Sequence, residues 1–326
     1  MIHEADWRPT ASPDRLRARA DLLAAIRDFF RTAAVLEVDT PACSTAAATD
    51  PAIESLATAY TGPGAPTGKT LYLHTSPEFA MKRLLASGIG PIYQICKVFR
   101  DGEAGRLHNP EFTLLEWYRP GYDHHRLMDE VEALIHFILP GLCAVKRVSY
   151  GRLFEDLLDF NPHLVGPEEL RRVAIGQGIQ GASVLGLPDR DAWLDLLMSH
   201  CIEPKLDRGM CFVYDYPASQ ASLARIRQGK PPVAERFELY LDGMELANGF
   251  HELGDHEEQR LRFQADLERR REKAQAIPPV DGRLLHALEA GLPDSSGVAL
   301  GIDRLLMCIT GAAHISEVLA FPFDRA

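Results

Sequence analysis

Apolar residues recur at helical spacing near the start of the chain, where Leu16, Leu22, Leu23, Ile26, Phe29 and Phe30 share one face of SPDRLRARADLLAAIRDFFRTAAVLEV. Ser12 offers an N-cap and Pro13 a preorganised first helical position, so the pattern predicts a helix starting there. VLEVDTP reads as a short strand ending at Pro41. LYLHTSPEFAMKRLLASG predicts strand then helix, with Ser76 as cap, Pro77 at the first helical position and Glu78 in the first turn. IYQICKVFR and EFTLLEWY predict two strands joined by the charged loop DGEAGRLHNP. Helical spacing fills 125 to 139 and 189 to 200, while 140 to 230 gives a mixed pattern. FELYLDGMELANGF alternates around Asp242-Gly243, a strong two-residue hairpin signal. A charged helix is predicted over 255 to 275, with Glu258–Arg262 and Asp266–Arg270 at i,i+4 spacing; its run ERRREK reads as a solvated face, not an RNA patch. GVALGIDRLLMCITG closes the chain as a strand running into a helix. Hairpin-linked strands with helices between them predict an α+β fold on an antiparallel sheet flanked by helices, spanning 1–326 as one domain.

Composition narrows the class. With 326 residues, 46% hydrophobic and 25% charged, the chain has the make-up of a globular enzyme. Six cysteines (Cys43, Cys96, Cys143, Cys201, Cys211 and Cys308) form no C-x-x-C pair, which predicts reduced thiols and a cytoplasmic protein. MIHEADWRPT has no apolar core of a signal peptide, and ALIHFILPGLCAV is too short and too interrupted to span a bilayer. The net charge of −11 argues against a phosphate-gripping surface, so tRNA is not the expected partner. TGPGAPTGKT imitates a P-loop at its GKT end, but Pro63 replaces the first glycine and a strand follows; the motif is rejected. His124-His125, Trp117 and the cysteines read as structural or surface residues, since nothing in their spacing demands a ligand.

Three constellations carry chemistry. In EFTLLEWY, Phe112, Leu114, Glu116 and Tyr118 share one face, roughly 20 Å long at ~3.3 Å per residue. A flat ring at one end and a hydroxyl at the other match an extended nucleotide joined to an amino acid; the competing reading is a half-buried strand with one tolerated Glu. Across the Asp242-Gly243 turn, Leu241 should face Met244 and Tyr240 should face Glu245, leaving Glu238 diagonal to Glu245. Two such carboxylates repel unless a cation sits between them, and Mg²⁺ with phosphate oxygens fits best; an exposed hairpin face is the alternative. In GVALGIDR, Gly297, Ala299 and Gly301 leave one strand face nearly bare, and Arg304 opens the helix, where a cation faces the positive end of the dipole unless it meets an anion.

Together these segments resemble the class II aminoacyl-tRNA synthetases, and within them the lysyl-tRNA synthetase catalytic core, over nearly the whole chain. The helix–strand–Pro41 segment is similar to that family's motif 1, VFRDGEAGRLHNPEFT to motif 2 and GVALGIDRLLM to motif 3. The resemblance implies that Arg100 holds the α-phosphate and the substrate carboxylate, and that Arg304 covers adenine and reaches the γ-phosphate. It also implies ATP contacts from Asp101, Gly102, His108, Asn109, Phe112, Glu245, Leu246 and Gly301, with Mg²⁺ on Glu238 and Glu245. Ser76, Pro77, Glu78, Tyr118, Asn248, Glu252 and Ala299 are implied as substrate contacts, with Glu78, Tyr118 and Glu252 around a side-chain ammonium. Three features depart from the synthetase pattern: no anticodon-binding barrel precedes the core, Gly102 stands where Glu is expected, beside Glu103, and Ala299 stands where Gly is usual. Those departures resemble the elongation factor P–(R)-β-lysine ligases. That family implies a homodimer that activates (R)-β-lysine, or lysine more weakly, with ATP and transfers it to a lysine ε-amine of elongation factor P. A minimal enzyme acting on tRNA and an inactive regulatory paralogue are the alternatives.

Overall fold

A computed structural model describes residues 7–65, 67–142, 144–206 and 208–326. Cys143 and the polar opening residues 1–6 lie outside the described residues. The chain begins with helix α1 (Pro13–Thr32), then short strands β1 (Leu36–Glu37), β2 (Cys43–Ser44), β3 (Ala57–Tyr60) and β4 (Lys69–Leu73). Helix α2 (Glu78–Ala86) leads into β5 (Ile92–Phe99), β6 (Glu111–Pro120) and α3 (His124–Ile138). β7 (Val145–Ser149), α4 (Tyr150–Leu158), α5 (Pro167–Gly176) and α6 (Arg190–Leu197) precede β8 (Met210–Pro217) and β9 (Ile226–Arg227). The hairpin β10 (Val233–Leu241) and β11 (Met244–His251) is followed by α7 (His256–Glu272), α8 (Gly282–Gly291), β12 (Ser295–Gly301) and α9 (Ile302–Thr310).

The main sheet runs β1-β5-β6-β12-β11-β10-β8-β7, with β9 paired to β10; β2, β4 and β3 form a small second sheet. The fold is α+β as the pattern predicts, and the central pairs are antiparallel. The two ends are parallel, β1 on β5 and β7 on β8, so the sheet as a whole is mixed. One face of the central strands buries Leu115, Trp117, Val298, Leu300, Phe237 and Leu239 under α1, α3 and α9. The weakly patterned region builds a second core, in which Leu153, Phe154, Leu170, Trp193 and Leu197 pack on Val213 and Tyr240. Its periodicity is poor because α4, α5 and α6 are only 9, 10 and 8 residues long. Two turns of helix are too short for a stripe to repeat.

Two local expectations need correction. Helix α2 starts at Glu78, with Pro77 as the residue before it; the Ser76 hydroxyl does accept from the Glu78 amide at 3.0 Å, but it also has a second task described below. In α7, Asp266 pairs with Arg269, whereas Arg270 is buried and donates to the carbonyls of Thr49, Asp50 and Ile53 and to the Glu54 carboxylate. One arginine of the expected solvated run therefore pins the 45–54 loop, part of which walls the site.

Candidate active site

The other face of the sheet is the floor of a cavity of about 1110 Å³. Strand register places its side chains in rows. Tyr118, Gly297, Phe250 and Arg236 form one row, and Glu116, Ala299, Asn248 and Glu238 the next. The turn pairs Leu241 with Met244 and Tyr240 with Glu245, as the hairpin signal predicts; the register then shifts, so that Leu239 faces Ala247. The extra residue, Leu246, is a β-bulge that reverses the in–out parity of β11. Glu245, Asn248, Phe250 and Glu252 all reach the cavity wall because of it. Without the bulge, Glu245 and Glu252 would point to opposite faces.

At one end of the floor is an acidic cage. Glu116 and Glu252 are buried, and Glu78 joins them from the first turn of α2. Ser76 donates to one Glu116 oxygen and the Tyr118 hydroxyl to the other, both at 2.6 Å. The cage already holds one cation, which sequence reasoning missed: the Lys82 ammonium lies 2.6 Å from both Glu78 and Glu252. Burial works against the Lys82 charge, but Glu252 and Glu78 outweigh it and hold its pKa above the ordinary range. The cage thus gathers three carboxylates and one internal ammonium, which pairs with Glu78 and Glu252. Burial, then Glu78, pushes the Glu116 carboxyl up to about 8. Burial, with Glu78 adding to it against the pull of Lys82, raises Glu252 to about 7. Gly297 makes room for this cluster, since a Cβ there would lie 2.2 Å from the Tyr118 ring and 2.6 Å from Glu252 Oε1.

The opposite end is cationic and aromatic. The Arg100 guanidinium carbon lies 5.1 Å from the centre of the Phe112 ring, and Arg100 Nε is buried without a hydrogen-bond partner. A buried guanidinium donor left unpaired is costly unless an anion arrives to take it. Arg304, in the first turn of α9, donates to the Leu107 and Glu245 carbonyls and the Glu245 carboxylate. Its remaining nitrogen lies 2.7 Å from His108 Nε2. Burial, then Arg304, lowers the His108 pKa, so the neutral ring accepts this bond. Asn109 orders the loop by donating to the Glu111 carbonyl and accepting from the Phe323 amide. Leu246 and Gly301 border the same wall. Asp101 and Gly102 do not: they form the turn after Arg100, with Gly102 at φ +77°, a backbone conformation that a Glu would adopt only under strain.

The acidic pair on the hairpin is more constrained than the sequence suggests. Glu238 does share a face with Glu245, but both Tyr216 and Tyr240 donate to one of its oxygens at 2.6 Å and Arg236 donates to the other. Three protein donors thus share the Glu238 carboxylate, two on one oxygen and one on the other, which leaves it about one further acceptor position. Burial, then Glu238, raises the Glu245 pKa, and burial, then Glu238 and Glu245, raises Glu203 to about 7. Glu203, which no sequence signal singled out, is therefore a third acid at this end. An all-oxygen donor set suits Mg²⁺; Glu238 and Glu245 are the carboxylates expected to hold it, with Glu203 close enough to feel the charge of both.

Comparison with known proteins agrees with this geometry. Residues 4–325 match the family described as tRNA synthetases class II (D, K and N). The chain belongs to this class II synthetase family. It is 52% identical over 326 residues to the elongation factor P–(R)-β-lysine ligase of Vibrio cholerae, covering 99% of each chain. It is 50% identical to the enzyme of that name from Edwardsiella ictaluri, covering all of both, and 48% identical to that of Enterobacter sp.. The class II fold thus brings Ser76, Pro77, Glu78, Tyr118, Asn248, Glu252 and Ala299 together at one end of the cavity and Arg100, His108, Asn109, Phe112, Glu245 and Arg304 at the other. Glu116 was legible in the sequence, because it shares a strand face with Phe112 and Tyr118. Lys82 was not, because in the sequence it is one more cation on an amphipathic helix.

Proposed function

We propose that this chain is an ATP-dependent, AMP-forming ligase that activates (R)-β-lysine, and α-lysine more weakly, as an adenylate and transfers it to a lysine ε-amine of elongation factor P. The observation that carries this reading is the buried cage with three carboxylates for one internal ammonium, at the far end of the strand from Phe112 and Arg100. A diamino acid brings the missing positive charge, and the Phe112–Tyr118 row spans the length of an aminoacyl-adenylate. Arg100 aligns the substrate carboxylate against the α-phosphate, Phe112 stacks on adenine, and Arg304 meets the polyphosphate. Glu238 and Glu245, with Glu203 beside them, would hold Mg²⁺, which when bound neutralises phosphate charge. Catalysis by this chain then consists of positioning and fixed charge. Names carried by relatives of about 50% identity over the full length support the protein acceptor, as does the acidic net charge of −11. A single catalytic domain working as a cytoplasmic homodimer, paired through the α1–β1 segment, completes the proposal; light scattering tests the dimer.

The deciding experiment is ATP–pyrophosphate exchange with (R)-β-lysine and α-lysine side by side, followed by transfer to purified elongation factor P or bulk tRNA. Preference for β-lysine and a mass increase on the protein are expected. Label on tRNA would overturn the acceptor, and absence of exchange would overturn the activity. The Ala299 methyl lies in the row between Asn248 and Glu116, where a substrate amino group would rest. Ala299→Gly is expected to shift the β- to α-lysine ratio of kcat/KM toward α-lysine by roughly tenfold, the range for one methyl-sized change in a fitted pocket.

The cage also fixes a pH dependence. Glu116 and Glu252 have pKa values raised to about 8 and about 7, so the unliganded cage keeps protons at neutral pH that the unfolded chain has lost. Their contribution to stability is therefore largest near pH 5 and declines as pH rises to about 8. A bound diammonium substrate replaces those protons. Its KM is expected to fall between pH 6 and 8, and the thermal stabilisation by β-lysine to grow over the same interval. A KM independent of pH over that range would remove the cage from substrate recognition.

A further inference from the structure

On the reverse side of the sheet, behind the acidic cage, lies a cluster that the proposed reaction does not use. His251 sits in β11 between Phe250 and Glu252, both of which line the cavity, so its side chain leaves on the opposite face. There its Nδ1 is 2.7 Å from Glu235 and its Nε2 2.9 Å from Asp294. His124, in the first turn of α3, closes the group from above, its ring 6.5 Å from that of His251. One donor atom each from His124, Glu235 and His251 lies within 4.8 Å of the others. The second, independent observation is His124 itself. It is buried to 2% exposure, and neither ring nitrogen has a hydrogen-bond partner. Its nearby acid, Asp215, is 3.6 Å from Nε2, too far for a hydrogen bond, and that carboxylate oxygen is also buried and unpartnered.

Hydrogen bonding within the cluster accounts for His251 and Glu235, but leaves the buried His124 ring with no hydrogen bond and only the 3.6 Å contact to Asp215. A buried imidazole so weakly partnered is costly, and a neutral imidazole is the commonest metal ligand. We propose that His124, His251 and Glu235 form a binding site for a divalent transition metal of the Zn²⁺ class, with the fourth position open to water. Two imidazoles and one carboxylate are a donor set for Zn²⁺ rather than for Mg²⁺ or Ca²⁺. Tetrahedral ligands at ~2.0–2.1 Å stand about 3.3 Å apart, so the three donors close by at most about 1.5 Å. Arg227 holds the other Asp215 oxygen at 2.5 Å and approaches Glu235 at 3.5 Å, and Arg225 holds Asp294. These guanidiniums orient the carboxylates from outside, as supporting partners do at metal centres. The metal would tie α3 to the β10–β11 hairpin directly behind Glu252. This revises the sequence expectation that His124 is merely structural.

The test is titration of the chelator-treated full chain with Co²⁺, in excess Mg²⁺ to keep the other acids occupied, read by visible absorption and repeated with Zn²⁺ by calorimetry. One equivalent with a tetrahedral Co²⁺ spectrum is expected, displaced by Zn²⁺. His124→Ala and Glu235→Gln should each weaken binding at least tenfold while circular dichroism shows an intact fold. Should His124→Ala unfold, Glu235→Gln alone decides. The proposal is overturned by absence of binding in the native chain, or by binding that a folded variant leaves unchanged.

Discussion

Glu252→Gln is expected to raise the KM for the diamino acid by about 100-fold or more, while the KM for ATP stays within a few-fold. The reason lies in charge balance. Glu252 is one of two carboxylates on Lys82 at 2.6 Å and one of three in the cage. Glutamine keeps the volume and removes the charge. Lys82 then relies on Glu78, and less negative charge remains for the substrate ammonium. Stripping one partner from a buried ion pair costs about 3–5 kcal/mol, and a factor of 100 in affinity corresponds to ~2.7 kcal/mol, just below that range. Measured KM values for the two substrates, with a thermal melt to confirm folding, check this. An equal loss for both substrates would mean a collapsed site and would remove Glu252 from specific recognition.

How much of this was legible beforehand follows from which interactions are local. The α1 cap, the β6 face and the Asp242-Gly243 turn were readable because each depends on residues a few positions apart. The bulge at Leu246 was not readable, since Met244–His251 alternates acceptably in either register and only packing against β12 chooses between them. That one residue places Glu252 in the cage, so the most consequential geometric fact of the site had no local signal. Lys82 and Arg270 illustrate the same limit. Both sit on helices where a solvated cation is the ordinary reading, and both are buried because carboxylates or carbonyls from distant segments converge on them. Glu238 illustrates the converse: its position was read correctly, but Tyr216 and Arg236, which engage its carboxylate, come from β8 and from its own strand's cavity face. The 140–230 region offered least because its short helices acquire their pattern only by packing on β8.

Arg100→Ala is expected to lower the ATP–pyrophosphate exchange rate by 10²–10³-fold, with thermal stability nearly unchanged. Arg100 sits at the cationic end of the cavity, its guanidinium over Phe112 and its Nε buried and unpaired. Its salt bridge to Glu103 is loose at 3.6 Å, so little native stability depends on the side chain. On the proposed reading, what it offers is a fixed, unpaired donor for the reacting anion. Removing one preorganised donor of that kind from a water-poor site costs on the order of 10²–10³ in rate. Because it is expected to meet both the amino-acid carboxylate and the α-phosphate, the loss should fall on kcat at least as heavily as on KM. Arg100→Lys separates charge from geometry: a point charge keeps the attraction but loses the planar fork, so recovery should be partial. Exchange kinetics over a range of both substrates provide the measurement. Full activity in Arg100→Ala would withdraw the residue from the reaction and leave Arg304 as the cation at the phosphates.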